Sequence, residues 1–168
     1  PAQTALLIID MQNATGNRHM GLGKLLAEQG NSDSAQYRFD RIDQLLIPNI
    51  QKLIAGFRAA GASIIWITYG ANAQDASDAP PHIAPIIKAT NNIAGQLEHE
   101  VVDALKPGPN DLVLNKTTQG AFRSTGLDSA LRALGVTTVV STGVSTNNCV
   151  AMTSMEACDL QYLSLIHI

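Results

Sequence analysis

The chain predicts an α/β domain, a three-layer α/β/α arrangement around a mainly parallel, Rossmann-like open sheet. Short runs such as Ala5–Leu6–Leu7–Ile8–Ile9 and Val136–Thr137–Thr138–Val139–Val140–Ser141 are apolar or β-branched almost throughout, as strands covered on both faces are. Segments with helical spacing of apolar residues alternate with them, and alternation of this kind builds a parallel sheet with right-handed crossovers. At 168 residues, 45% hydrophobic and 15% charged, the chain has the size of one domain with a real core, and its composition argues against disorder.

The elements follow in order. The first strand covers 4–10 and stops at Asp10. Leu46, Ile50, Leu53, Ile54 and Phe57 repeat at helical spacing, which predicts a helix over about 43–60 with Gly61 as its stop. A strand over 62–68, a helix over about 96–105 and a strand over 111–115 come next. Leu127, Ala130, Leu131 and Leu134 predict a helix over 125–134, with Thr125 and Asp128 as a capping-box-like start and Gly135 as the stop. The strand 136–142 then leads into a helix over 147–160, capped by Thr146 or Asn147. Two connections are long: 11–42, with one short helical candidate around Leu22–Gln29, and 70–95, rich in Ala, Asp, Asn and Pro. Both follow strands at one edge of the sheet and read as lids and pocket walls.

In open parallel sheets ligands bind outside the carboxyl ends of the strands. Three strand ends here deliver a carboxylate (Asp10), an ammonium (Lys116) and, just beyond Gly143, a thiol (Cys149) to the same edge. Each could be ordinary alone: a cap, a solvated strand end, a small buried hydrophobe. Together they propose a reaction site. Cys149 falls in the first turn of the expected helix, where unpaired N–H groups and the helix dipole would favour a thiolate.

Three segments carry a resemblance: Ile8–Ile9–Asp10–Met11–Gln12–Asn13, then Asn115–Lys116 followed by Gly120–Ala121–Phe122, then Thr142–Gly143–Val144–Ser145–Thr146–Asn147–Asn148–Cys149–Val150. In this order they resemble the isochorismatase-like cysteine hydrolases, over Ala5 to about Tyr162. The resemblance implies a catalytic triad of Asp10, Lys116 and Cys149 and a cis peptide between Val144 and Ser145. It also implies an oxyanion hole from the backbone N–H groups of Ser145 and Cys149. The expected reaction is hydrolysis of a small amide through a thioester, releasing ammonia or an amine. Some relatives lack the cysteine and hydrolyse the vinyl ether of isochorismate, and Cys149 argues against that chemistry here. Asn13, Tyr69 and Phe122 are candidate substrate-binding residues, each of which could equally serve packing or a turn.

No cofactor is expected, and no metal. Relatives that bind one carry an Asp-x-His motif after the second strand, whereas Thr68–Asp75 has no histidine. Glu98–His99–Glu100 reads as a solvated helix face. A nucleotide-binding module is a competing reading, disfavoured because no glycine-rich fingerprint follows the first strand. An inactive fragment or oligomerisation scaffold is another.

The net charge of −3 and pI near 5.7 give no reason to expect nucleic acid or an anionic membrane, and no apolar run approaches the roughly 18 residues of a span. The expected partner is a small-molecule amide, with the family's dimers or tetramers implying a homo-oligomer. Two cysteines nine residues apart on one helix cannot be bridged, which fits a reducing cytoplasm. The first strand leaves no room for a signal peptide, although Pro1 is not a natural start. Leu163–Ser164–Leu165–Ile166–His167–Ile168 reads like translated library-adapter DNA. The expected organisation is therefore a hydrolase domain over 1–162, incomplete at its C-terminus, and a non-native tail over 163–168. That tail is apolar and β-prone enough to occupy a fifth strand.

Overall fold

A computed structural model describes residues 1–166, apart from the side chains of Ser32 and Ser34. Five strands form one wholly parallel sheet: β1 (Thr4–Ile9), β2 (Ser63–Tyr69), β3 (Leu112–Lys116), β4 (Thr138–Gly143) and β5 (Leu163–Ile166). The strand order is β3-β2-β1-β4-β5. The chain winds from β1 outward to β3, then crosses back to place β4 on the other side of β1. The crevice between the ends of β1 and β4 is thus the topological switch point, where ligands bind in such sheets. Leu163–Ile166 do form the fifth strand; His167 and Ile168 lie outside the described residues.

Alternation along the central strands divides two cores. Ala5, Leu7 and Ile9 of β1 and Ile65 and Ile67 of β2 face Leu127, Leu131, Val150 and Ala157, which come from α6 (Leu127–Ala133) and the Thr146–Asp159 region. Leu6, Ile8, Ile64 and Trp66 face Phe39, Ile42 and Ile50 on the other side. Period-two exposure with both faces covered accounts for the continuous apolar runs. Trp66 is fully buried and donates its indole N–H to the Leu105 carbonyl, at 2.8 Å.

The long connections are more structured than expected. Residues 11–42 contain α1 (Asn13–Gly16), α2 (Gly21–Glu28) and α3 (Ser32–Arg41). α3 runs through a widened π turn (Ile42–Leu46) into α4 (Ile47–Ala59). That turn lies just ahead of Pro48, whose missing N–H and bulky ring interrupt an α-helical ladder. The polar stretch at Asn31 that reads as a loop is the start of a helix, because loop formers and N-caps are the same residue types. Residues 70–95 likewise hold α5 (Ala84–Ala89) and a small core of their own built on Ala71, Ala76, Ile83, Ile87 and Ile93.

The helix expected over 96–105 is absent. Two single 3₁₀ turns, Leu97–His99 and Asp103–Leu105, flank Val101 and Val102, which are buried against the segment after β1. Val101 bridges Gln12, and the Val102 N–H donates to Met11 O at 2.9 Å, so the backbone groups a helix would need are already used. The capping box is absent too. α6 starts after Gly126, Thr125 Oγ1 accepts the Leu127 N–H, and Asp128 turns to Arg132 and to the Tyr162 hydroxyl.

Candidate active site at the strand ends

Asp10 directly follows β1 in the left-handed region (φ 55°), a conformation that Asp tolerates better than most residues. Its N–H donates to Ile67 O, and its own carbonyl accepts from the Thr15 hydroxyl, which fixes the bend. On the neighbouring strand Gly143 sits at φ 113°, so close to β1 that a side chain there would meet the Ile9 carbonyl at 1.9 Å. Only glycine lets β4 end beside Asp10. The Val144 N–H then donates to Ile9 O, and the peptide bond from Val144 to Ser145 is cis.

Lys116 ends β3, with β2 lying between it and β1. At about 4.8 Å per strand spacing its long stem must cross the end of β2 to reach Asp10. It does so over Tyr69, its register partner. The ammonium lies 4.1 Å from the Tyr69 ring centroid, 3.0 Å from Asp10 Oδ2 and 3.3 Å from Thr118 O. Lys116 and Asp10 are 0% and 2% exposed, and a charge buried this deeply persists only with such partners. Burial pushes the Asp10 carboxyl above its ordinary value, opposed first by the Lys116 charge and then by hydrogen bonding to Cys149 and Lys116. Asp10 Oδ1 is buried and has no regular hydrogen-bond partner among the described residues.

Cys149 is buried, and that burial works against the resting thiolate expected from the sequence. Burial, and after it the Asp10 carboxylate, push the thiol up to about 12 against the opposing pull of Lys116. The local backbone explains why no helix end compensates. Thr146–Val150 is a widened turn with Asn148 outside helical geometry, and the regular helix α7 (Ala151–Asp159) begins only after it. The cap position is Ser145, not Thr146 or Asn147, and the N–H groups of Asn148 and Val150 donate to its carbonyl. The surroundings thus favour the protonated thiol, beside a carboxyl paired with lysine.

Of the other residues nominated from sequence, Tyr69 lies against the site. Burial, then Cys149 and Asp10, hold its phenol well above the usual range. Asn13 is occupied elsewhere: its amide donates to Leu97 O at 2.9 Å and its oxygen accepts weakly from Asn17. Phe122 packs on Tyr162 with ring centroids 5.8 Å apart, beside the core that contains Cys149. His99 is not on a solvated helix face. It is half-buried, its Nδ1 lies 3.1 Å from Asn92 Oδ1 and 3.2 Å from Gln12 Nε2, and burial lowers its pKa. Among the described residues no cluster of three or more His, Cys, Asp or Glu could hold a metal ion.

Two residues escaped the sequence reading. Gln12, fully buried, donates to Tyr69 O and His99 O and accepts the Tyr69 N–H, tying the end of β2 and the 90s segment to the loop after Asp10. It lies inside the first motif, which was the available signal. Arg38, on α3, donates to Ser145 Oγ at 2.8 Å and to Thr15 O at 3.0 Å, and no sequence pattern marks it.

Residues 4–167 match the family model of the isochorismatase domain. The chain is 32% identical over 180 aligned positions to the ureidoacrylate amidohydrolase RutB of Enterobacter sp. (strain 638), covering 99% of this chain and 74% of that protein. Among solved structures it resembles a cysteine hydrolase from Pseudomonas syringae pv. phaseolicola 1448A, with a TM-score of 0.76, 25% identity and coverage of 99% and 70% of the two chains. It also resembles the N-carbamoylsarcosine amidase of Thermoplasma acidophilum, with a TM-score of 0.72, 26% identity and coverage of 98% and 80%.

Proposed function

The chain belongs to the isochorismatase family, and we propose that its strand-end site hydrolyses the C–N bond of a small amide with Cys149 as nucleophile. The observation that carries this reading is the buried Asp10–Lys116 pair, 3.0 Å apart, held against a buried thiol at the switch point of the sheet. The amidohydrolase relatives support amide hydrolysis as the chemistry.

With the thiol neutral at rest, proton removal accompanies attack. Asp10 accepts the thiol proton as Sγ bonds to the substrate carbonyl carbon, and the carbonyl π electrons move onto oxygen. The Ser145 and Cys149 N–H groups receive that oxyanion, each donor contributing ~2.7–4 kcal/mol at typical oxyanion sites. Asp10 then passes its proton to the leaving nitrogen as the C–N bond breaks, leaving a thioester. In the second half Asp10 takes a proton from water, the hydroxide adds, the C–S bond breaks and the proton returns to sulfur. Lys116 keeps Asp10 ionised between these steps. Asp10 and Cys149 therefore move the proton and form the covalent bond, Lys116 sets the charge, and Tyr69 walls the site.

No helix among the described residues is long and apolar enough to cross a membrane. Both cysteines are free, which supports a reducing, cytoplasmic setting. The same reading takes the enzyme as a homo-oligomer without a cofactor, as the resemblance implies. An ammonia-release screen of small amides, run beside Cys149→Ala, tests the function. We expect release by the parent enzyme, none by the variant, and a thioester adduct by mass spectrometry. Turnover retained by Cys149→Ala would replace acyl transfer with direct attack of water on the amide carbonyl, and C–N cleavage without a thioester.

A further inference from the structure

Arg38 is a half-buried guanidinium without a counter-charge among the described residues. Its contacts are neutral: Ser145 Oγ, Thr15 O and, at 5.9 Å, the face of Phe39. Its Nε is buried and unpartnered, and desolvation lowers its pKa. Of the acids nearest in sequence, Asp40 and Asp43 both pair with Arg18, at 2.8 and 2.6 Å, and Asp33 is exposed and makes no ion pair with Arg38. Arg58, Arg123 and Arg132 each have a carboxylate within ion-pair distance, and Arg38 has none among the described residues. A guanidinium carries five donors in a planar fork suited to a carboxylate, and burying one without an anion is unfavourable.

The space beside it completes the picture. A cavity of about 310 Å³ lies between α3 and the loop after β4, lined by Arg38, Arg41, Leu45, Leu46, Val144 and Ser145 among others. Two arginines and no carboxylate line it. Its far wall is the segment whose backbone is proposed to hold the oxyanion. Ser145 faces both ways, with its hydroxyl on Arg38 and its N–H assigned to the substrate carbonyl.

We propose that this cavity binds the carboxylate of an anionic amide or ureido substrate through Arg38, with the amide carbonyl over Ser145 and the C–N bond facing Cys149. The proposal rests on the amidohydrolase reading above and narrows its substrate class to small amides bearing a carboxylate. Arg41 adds positive potential to the same cavity, and the apolar wall of Leu45 and Leu46 suits a short hydrocarbon spacer.

The test compares 3-ureidopropionate with isopentylurea, in which an isopropyl group replaces the carboxylate, by ammonia release from the full chain. We expect kcat/KM to favour the carboxylate by at least about 30-fold, which corresponds to ~2 kcal/mol, within the range for hydrogen bonds to charged groups. Arg38→Met should collapse that ratio, chiefly through KM, and Arg38→Lys should keep part of it; thermal unfolding checks that both variants fold. A parent enzyme that cleaves both ureas equally, or an Arg38→Met variant that slows both by one factor, overturns the proposal while leaving the amidase reading intact. A failure of every amide in the wider screen overturns the amidase reading instead. Calorimetry then decides the site: Cys149→Ala should bind 3-ureidopropionate and lose at least tenfold in affinity when Arg38→Met is added. No binding, or binding indifferent to Arg38, ends the proposal.

Discussion

Lys116 and Arg38 approach the strand-end crevice from opposite sides, one from the edge strand β3 and the other from α3. Lys116 is wholly buried, and its counter-charge, Asp10, is part of the chain. Arg38 is half-buried and, among the described residues, donates to neutral acceptors only. A permanently paired charge can set the protonation of its partner but has little left to offer a ligand. An unpaired one at a cavity wall contributes little to the resting fold and most when an anion arrives. On the proposed reading the two sides of the site divide chemistry from recognition, and each of the following measurements presses on that division.

The largest effect should come from the paired side. Asp10→Asn removes the group proposed to accept the thiol proton and deliver it to the leaving nitrogen, so turnover should fall about 10³–10⁴-fold, toward the upper range for acid–base groups. Arg38→Met, assayed on a neutral amide, should fall far less. Comparable losses would mean that the two sides are one machine and not two.

Stability should separate them next. Lys116→Met leaves a carboxyl that is 2% exposed without its cation, and breaking a buried pair from one side typically costs about 3–5 kcal/mol. Arg38→Met orphans no carboxylate among the described residues and loses two hydrogen bonds donated by a charged group, about 1.5 kcal/mol each at the low end, partly offset by relieving an uncompensated charge. Urea unfolding of both variants measures the difference, and equal losses would mean that Arg38 carries a hidden structural partner.

The acid limb of the pH–rate profile is a finer probe. The proposed mechanism needs ionised Asp10, whose carboxyl is raised by burial and restrained by Lys116. The rate should fall as pH drops through that raised value, above the ordinary 3.8 of a free carboxyl. The folded state prefers the proton on Asp10. Its contribution to stability is thus fully present below the ordinary value and is lost as pH rises through the folded one. Lys116→Met should move the limb to higher pH, because desolvation is then opposed only by the hydrogen bond to Cys149. Arg38→Met should leave it in place, and a shift there would put Arg38 in electrical contact with the carboxylate.

The paired side was legible in the sequence and the unpaired side was not, for a physical reason. Asp10 and Lys116 sit at the ends of apolar runs that read as strands, Cys149 follows the end of another across a short polar loop, and parallel strands share one carboxyl edge. Local pattern plus one topological rule was enough to bring them together. The depth of Lys116 and the neutral thiol were not visible, because burial is a property of the packed neighbours. Arg38 lies on a helix that begins in a polar stretch resembling a loop, and its partners Thr15 and Ser145 are 23 and 107 residues away. Gln12 fell between these cases, noticed as part of a motif but with its contacts to Tyr69 and His99 set wholly by folding. The failed helix over 96–105 has the same origin: Val101 and Val102 pair with a distant segment that no local period reveals.

The smallest expected effect uses the two cysteines as paired reporters. Cys158 is exposed and Cys149 is buried with its thiol pushed up to about 12, so in the free enzyme iodoacetamide should modify Cys158 first. Iodoacetate differs from iodoacetamide in carrying a carboxylate in place of the amide. If the cavity beside Ser145 attracts anions, iodoacetate should be guided toward Cys149 and not toward Cys158, which lies late in α7. The ratio of iodoacetate to iodoacetamide rates at Cys149 should then exceed the ratio at Cys158 by about threefold, the modest gain of a partly screened charge over a short reach. Arg38→Met should bring the two ratios together, and raised salt should do so in part. Lys116→Met cannot serve as the same control, because it also changes the ionisation of Asp10 and with it the thiol. Peptide mapping after brief labelling reads both sites in one sample, so overall differences in reagent reactivity cancel. Identical ratios at Cys149 and Cys158 in the parent enzyme would show that Arg38 does not draw anions toward the reacting sulfur.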